Sequence, residues 1–267
     1  LNTKIPRETA LITGASAGIG QAFAEVFAEH GFDLVLVARS EDKLNALAEQ
    51  IHHQHHVDSL VVPLDLTAAS GPQRLRDAVN ARGVKINVLV NNAGLIAHGR
   101  FSDLPLSTHT KMLQLNVLAL TKLTHLFLPD MIEQGNGQIL NVASVAAFVP
   151  LPRITVYAAT KAYVLSFTEA LAVELKGSHV TVTALCPGPT NTAMMEKWSK
   201  VTGNRAELPS FWMMKPYDVA REGYQACRRG KTIHIDGLTN QLITPVLQYS
   251  PRWFIRTISD LATRLVK

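Results

Sequence analysis

Short apolar runs recur along this chain, most of them without a polar face: ALIT (10–13), DLVLVA (33–38), SLVVPL (59–64), NVLVNN (87–92), GQILNVAS (137–144), HVTVTALCP (179–187) and KTIHID (231–236). Their length and β-branched content predict strands buried on both sides. The longer stretches between them place apolar residues at helical spacing. Strands alternating with helices in this way predict an α/β fold: a doubly wound parallel sheet of about seven strands, helices on both faces and right-handed crossovers.

Ser40 followed by Glu41 and Asp42 predicts a helix start, because a hydroxyl caps free amides and acids oppose the positive end of the dipole. That helix should run to about Ile51. From Pro187 to Pro216 the alternation breaks down into Pro, Thr and Met with Trp198, Phe211 and Trp212, which predicts an insertion over the sheet edge. In the tail, Phe254, Ile258, Leu261, Ala262 and Leu265 recur at helical spacing with Arg252, Arg256, Arg264 and Lys267 elsewhere around them. An amphipathic basic helix over about 251–266 follows, suited to docking on its own domain, on a neighbouring subunit or on a membrane surface. No repeat or linker divides residues 1–267, so one domain is expected.

Composition narrows the function. The net charge of +5 comes from scattered Lys and Arg with no aromatic-interleaved stripe, which excludes nucleic acid and favours anionic small molecules. No apolar run reaches the roughly 18 residues that span a bilayer, and residues 1–7 contain no signal-peptide core, so a cytoplasmic protein is expected. Cys186 and Cys227 lack metal-ligand spacing. His52, His53, His55 and His56 follow the helix that starts at Ser40 and occupy its frayed end and the next loop; nothing nearby completes a site, so no metal is assigned.

Chemistry enters with TGASAGIG, Thr13 to Gly20, where Gly14, Gly18 and Gly20 lie between a strand and a helix. Bare backbone there admits phosphates, and the helix N-terminus supplies amides and partial positive charge; the alternative is a tight turn without ligand. At the end of the second strand, where an acid would bind the ribose hydroxyls of NAD, the chain reads Ala38, Arg39, Ser40. Arg39 matches a 2′-phosphate and favours NADP(H), unless it is a solvated loop cation. Asp65 in LDLT and the segment NNAG, Asn91 to Gly94, end the third and fourth strands and should face the same ligand. Asp65 either accepts from an adenine amino group or caps the following helix.

Tyr157 and Lys161, in VYAATK, are four residues apart and share one helix face. An ammonium near a phenol favours the phenolate and lowers its pKa, which makes Tyr157 a general acid for carbonyl reduction and a base for the reverse; otherwise the two are a surface pair. Ser144, ending the fifth strand, either holds the substrate oxygen or satisfies nearby backbone. Asn116, polar within LQLNVLAL, either anchors a water on a proton path from Lys161 or is a satisfied core amide.

Taken in order, TGASAGIG, LDLT, NNAG, Asn116, Ser144, YAATK and CPGPTNT resemble the short-chain dehydrogenase/reductase family over Glu8 to about Asp236. The resemblance implies a Rossmann-type domain, hydride transfer at nicotinamide C4 and a catalytic tetrad of Asn116, Ser144, Tyr157 and Lys161. It also implies cofactor contacts from Gly14, Ser16, Gly18, Ile19 and Gly20, from Arg39, from Asp65 and Leu66, and from Asn92, Ala93 and Gly94. Tyr157 and Lys161 would reach the nicotinamide ribose, and Pro187, Gly188, Thr190 and Thr192 the nicotinamide end. One departure is Ala17, where many NADP-type members carry a basic residue, so Arg39 must supply most of the selectivity.

By the same resemblance 189–215 forms a substrate lid. Its Met194, Met195, Trp198, Phe211, Trp212, Met213 and Met214 suit a lipophilic carbonyl or alcohol, or else pack the lid onto the core. A homodimer or homotetramer is implied, built on the helices carrying Asn116 and Tyr157. Two rival readings are a catalytically silent cofactor-sensing regulator and a sugar-nucleotide epimerase. All four tetrad residue types are present, against the first; little chain follows Asp236 to build the second's substrate domain.

Overall fold

The computed structural model describes residues 7–193, 195, 213–251, 253–257 and 259. All seven expected strands form: β1 Thr9–Thr13, β2 Asp33–Ala38, β3 Ser59–Pro63, β4 Val88–Asn91, β5 Gly137–Val142, β6 Val180–Cys186 and β7 Ile233–Ile235. They make one parallel sheet in the order β3-β2-β1-β4-β5-β6-β7. The chain winds outward from β1 in one direction and from β4 in the other, so a crevice opens beyond the carboxyl ends of β1 and β4.

Why these runs are apolar on both sides is visible in the core. Ala10 and Ile12 of β1 pack on one face among Phe23, Phe27, Leu36 and Val90, whereas Leu11 packs on the other among Val35, Leu89, Ile139 and Val182. The first face is covered by α1 Gly18–Glu29 and α2 Glu41–His55, together with α7 Pro216–Arg228. The second is covered by α3 Gly71–Ala81, α5 Leu120–Gln134 and α6 Thr155–Glu174, with α4 Leu106–Leu113 leading into α5. α8, Leu238–Tyr249, follows β7.

Several expectations change. The helix after β2 starts where expected, but the Ser40 side chain makes no capping hydrogen bond, and the helix runs beyond Ile51 to His55. His52, His53 and His55 therefore lie in its last turn rather than in a frayed end, and His56 ends it in the left-handed conformation. Among the described residues no cluster of His, Cys, Asp or Glu can hold a metal. Between α4 and α5 the chain is not α-helical: Gln114–Ala119 forms a π-helix, with Asn116 in it. Helix α8 went unforeseen, because LTNQLITPVLQY offers no charged face and contains Pro245. Of the expected tail helix, 253–257 and 259 are helical, 251 is not, and 252, 258 and 260–266 lie outside the described residues, as do Met194, Trp198, Phe211 and Trp212 of the expected lid. The two ends of that segment are clipped together: Met214 N donates to Pro189 O and Asn191 N to Met214 O, both at 2.9 Å. No helix among the described residues is long and apolar enough to cross a membrane.

Candidate active site

The strand ends gather most of the expected residues around one cavity of about 390 Å³. Gly14, Gly18, Ile19 and Gly20 form its floor, Asn92, Ala93 and Gly94 one wall, and Pro187, Gly188, Thr190 and Thr192 the far end, with Ser144, Tyr157 and Lys161 between. Ser16, Arg39, Asp65, Leu66 and Asn116 do not line it. Arg39 stands exposed just past β2, near enough to Asp65 to help hold that carboxyl below its usual range. The stronger causes are local: the Thr67 amide and hydroxyl donate to Asp65 Oδ1 at 2.9 and 2.8 Å. Among the described residues the Asp65 carboxylate bonds within this turn rather than capping α3.

Glycine is required where the loop meets its neighbours. A Cβ on Gly20 would overlap the Gly14 carbonyl, and one on Gly18, whose φ is +59°, would press within 3.1 Å of Thr192 Cγ2 across the cavity. Thr13 and Asn92 fasten the loop: Asn92 and Ala93 amides donate to Thr13 Oγ1 at 3.0 Å, and Asn92 Nδ2 donates to Thr13 O at 2.8 Å. No acid stands in the first turn of α1 to oppose an anion at its amino end. A bare cradle facing a helix N-terminus fits the pyrophosphate of a dinucleotide.

Asn91 turns the other way, into a buried polar network that ties the layers behind the cavity. Its Nδ2 donates to Asn141 Oδ1 at 2.9 Å and to Thr124 Oγ1 at 3.2 Å, and Asn141 Nδ2 donates to Thr168 Oγ1 at 2.9 Å. These bonds join β4, β5, α5 and α6, so the strand ends that form the cavity are held in fixed relation.

Ser144 follows β5 in extended backbone; its Oγ accepts the Ala146 amide at 3.1 Å and donates to Pro187 O at 3.5 Å, near enough to Tyr157 to favour its phenolate slightly. Lys161 is 6% exposed, donates from Nζ to Val142 O at 2.6 Å, and lies 5.7 Å from the centre of the Tyr157 ring. The sequence predicted that this ammonium would lower the phenol's pKa; the structure shows the opposite direction. Burial pushes Tyr157 up, more than the nearby Ser144 hydroxyl pulls it down, and burial also pushes Lys161 down to about 8. Desolvation sets the direction of each shift.

Asn116 is 2% exposed and does not reach the cavity. Its Oδ1 accepts the Leu95 amide at 2.8 Å, and Nδ2 donates to Leu95 O at 2.9 Å and to Thr160 Oγ1 at 3.1 Å. Both amide hydrogens and one lone pair are thus taken by the chain, pinning the loop after β4 to α6. A second lone pair remains, and Gly94 lies between Asn116 Oδ1 and Lys161 Nζ: a Cβ there would be 3.5 Å from the first and 3.7 Å from the second. Thr160, which passes its own hydrogen to Tyr157 O at 2.7 Å, completes the chain and escaped the sequence reading. Its signal was present: in YAATK it stands three residues after Tyr157, on the face toward Asn116. The apolar wall of Ile96, Val145, Ile154, Pro189 and Met195 was also mostly missed, since nothing in such residues marks them as lining.

A parallel sheet with its crevice at the switch point, and a hydroxyl, phenol and amine gathered over a glycine cradle, define an oxidoreductase on a dinucleotide-binding fold. The chain belongs to the short-chain dehydrogenase family, whose model matches residues 8–202. Mouse very-long-chain 3-oxoacyl-CoA reductase is 32% identical over 250 residues, covering 92% of this chain and 76% of that protein. A solved 7β-hydroxysteroid dehydrogenase superposes with a TM-score of 0.84 at 27% identity, over 95% of this chain and 96% of that one. A short-chain dehydrogenase from Sphingobium yanoikuyae, in complex with NADPH, gives 0.80 at 30% identity over 91% and 96%.

Proposed function

We propose that this single-domain chain is an NADP(H)-dependent enzyme that interconverts a carbonyl and a secondary alcohol on a lipophilic substrate, with Tyr157 as general acid and base. The observation that carries this reading is the convergence of the Ser144, Tyr157 and buried Lys161 side chains on one cavity over the glycine cradle. When bound, the reduced cofactor supplies the hydride. Its pyrophosphate would rest on the Gly14 to Gly20 backbone, Arg39 would meet the 2′-phosphate, and Lys161 would hold the nicotinamide ribose.

Ser144 orients the substrate oxygen and donates to it as negative charge develops. Tyr157 gives its proton to that oxygen; a phenol kept protonated by burial is in the form reduction requires. Lys161 would return a proton to Tyr157, and Asn116 would offer its remaining lone pair to a water on the route to solvent. The lipophilic preference is supported by the walls of Ile96, Val145, Ile154 and Met195, and by relatives named for very-long-chain acyl and steroid substrates. A homodimer or homotetramer is supported by apolar side chains left exposed on the helices around Asn116 and Tyr157, among them Leu113, Leu118 and Val173. Both cysteines are buried thiols, in keeping with a reducing compartment such as the cytoplasm.

The test is Tyr157→Phe assayed against a panel of lipophilic ketones and 3-oxoacyl thioesters beside sugar ketones. Retained NADPH binding with turnover reduced roughly 10²- to 10⁴-fold is expected. Near-normal turnover removes the acid role, and preference for sugar ketones removes the lipophilic one.

A further inference from the structure

Beyond the cavity wall, at the end of β7, Asp236 is fully buried. Its Oδ1 accepts the Gly188 amide at 2.8 Å, and its carbonyl accepts Asn240 Nδ2 from α8 at 2.9 Å. Asn240 in turn lies against Gly188 so closely that a Cβ on this glycine would overlap its side chain. Gly188 is therefore gripped from two sides by groups that do not themselves line the cavity. The second carboxyl oxygen, Oδ2, is buried with no hydrogen-bond partner among the described residues. A neutral acceptor would hold the same amide without leaving charge unpaired in the interior, so fold stability alone does not account for an acid here.

We propose that Asp236 is a positioning residue, whose negative charge draws in the Gly188 amide and so fixes the wall that closes on the nicotinamide end of the bound cofactor. The inference rests on the reading that this end of the cavity takes the nicotinamide. A hydrogen bond to a carboxylate is about twice as strong as one to a neutral group, so the grip depends on ionisation. Burial pushes the Asp236 carboxyl up to about 6, the Gly188 amide draws it down, Glu222 of α7 raises it and His234 of β7 lowers it. Those two neighbours are joined to each other at 2.9 Å. The Cys186 thiol at the end of β6 is pushed up to about 12 chiefly by its burial, with a small addition from this acid, so it remains neutral; α8 brings no charged side chain. The carboxylate, and with it the tight grip, is then present above about pH 6 and is lost as the pH falls below it.

The experiment compares wild type, Asp236→Asn and Asp236→Leu for binding of NADPH and of adenosine 2′,5′-bisphosphate, which lacks the nicotinamide half. Asp236→Asn keeps an acceptor for Gly188 without the charge. Expected are NADPH affinity lowered roughly five- to tenfold at neutral pH, unchanged bisphosphate affinity, and loss of the wild-type weakening of NADPH binding below about pH 6. Asp236→Leu should weaken NADPH further, and its circular dichroism shows whether it has folded. Equal NADPH affinity and an unaltered pH profile in Asp236→Asn overturn the proposal, as does equal weakening of both ligands, which marks a general loss of structure. Failure of the wild type to bind NADPH instead overturns the reading of the cavity, and the inference with it.

Discussion

Lys161 should make the cofactor-free protein less stable than it would be without the charge. Its ammonium is buried, and its pKa drops from 10.5 to about 8 because burial disfavours the charged form. That gap corresponds to about 3 kcal/mol. Below pH 8 the folded chain carries the full cost, since folded and unfolded states are both protonated. Between about pH 8 and 10.5 the unfolded state binds more protons than the folded one, so stability rises with pH across this window and the cost fades. Lys161→Met removes the charge while keeping an unbranched side chain of similar length. It also removes the bond to Val142 O, worth about 1 kcal/mol, which leaves a net gain of about 2 kcal/mol. For a chain of this size that raises Tm by about 4–8 °C. Thermal unfolding without cofactor, near pH 7 and again near pH 10, should show the variant more stable at the lower pH with the advantage shrinking at the higher. A variant less stable than wild type near pH 7, by a margin that does not move with pH, refutes the reasoning. Turnover should be lost in the same variant, so that the cost sits at the chemical centre.

Two other substitutions probe the cofactor end. Gly20→Ala places a methyl onto the Gly14 carbonyl, and should abolish detectable NADPH binding by fluorescence while costing about 1–3 kcal/mol in urea unfolding. Arg39→Ala should weaken NADPH roughly tenfold or more in equilibrium titration and leave NADH nearly unchanged; equal losses for both would show that Arg39 does not meet the 2′-phosphate.

What the sequence carried best was the repetitive part of the fold. Runs such as DLVLVA lie inside the sheet between two other strands, where both faces are covered, so local composition and tertiary setting agree. Residues that bond directly into the cavity were legible for a similar reason: the glycine loop, Ser144, Tyr157 and Lys161 each belong to a short segment with its own backbone signature. Less visible were features created by contact between distant segments. Asp236 and Gly188 are 48 residues apart, and nothing in either alone announces the bond; Asn116 and Thr160 are 44 apart, and the spacing of Thr160 from Tyr157 marks its helix face but not its partner. The direction of the Tyr157 shift was misjudged because spacing reports proximity to Lys161 but not how far both are removed from water.

The widened turn at Gln114–Ala119 has a further consequence for how this molecule tolerates change in length. A π turn holds one more residue than an α turn, so α4 and α5 are offset from the phase a single continuous helix would have. Deleting one residue there would straighten the rod, but each residue in an α-helix advances the azimuth by about 100°, and the flanking faces could no longer both meet their neighbours. Phe127 and Met131 would swing off the sheet, or His109 and Met112 would swing out of their packing. Substitution can therefore explore this stretch freely only at the outward positions, and gaps in related chains should avoid it.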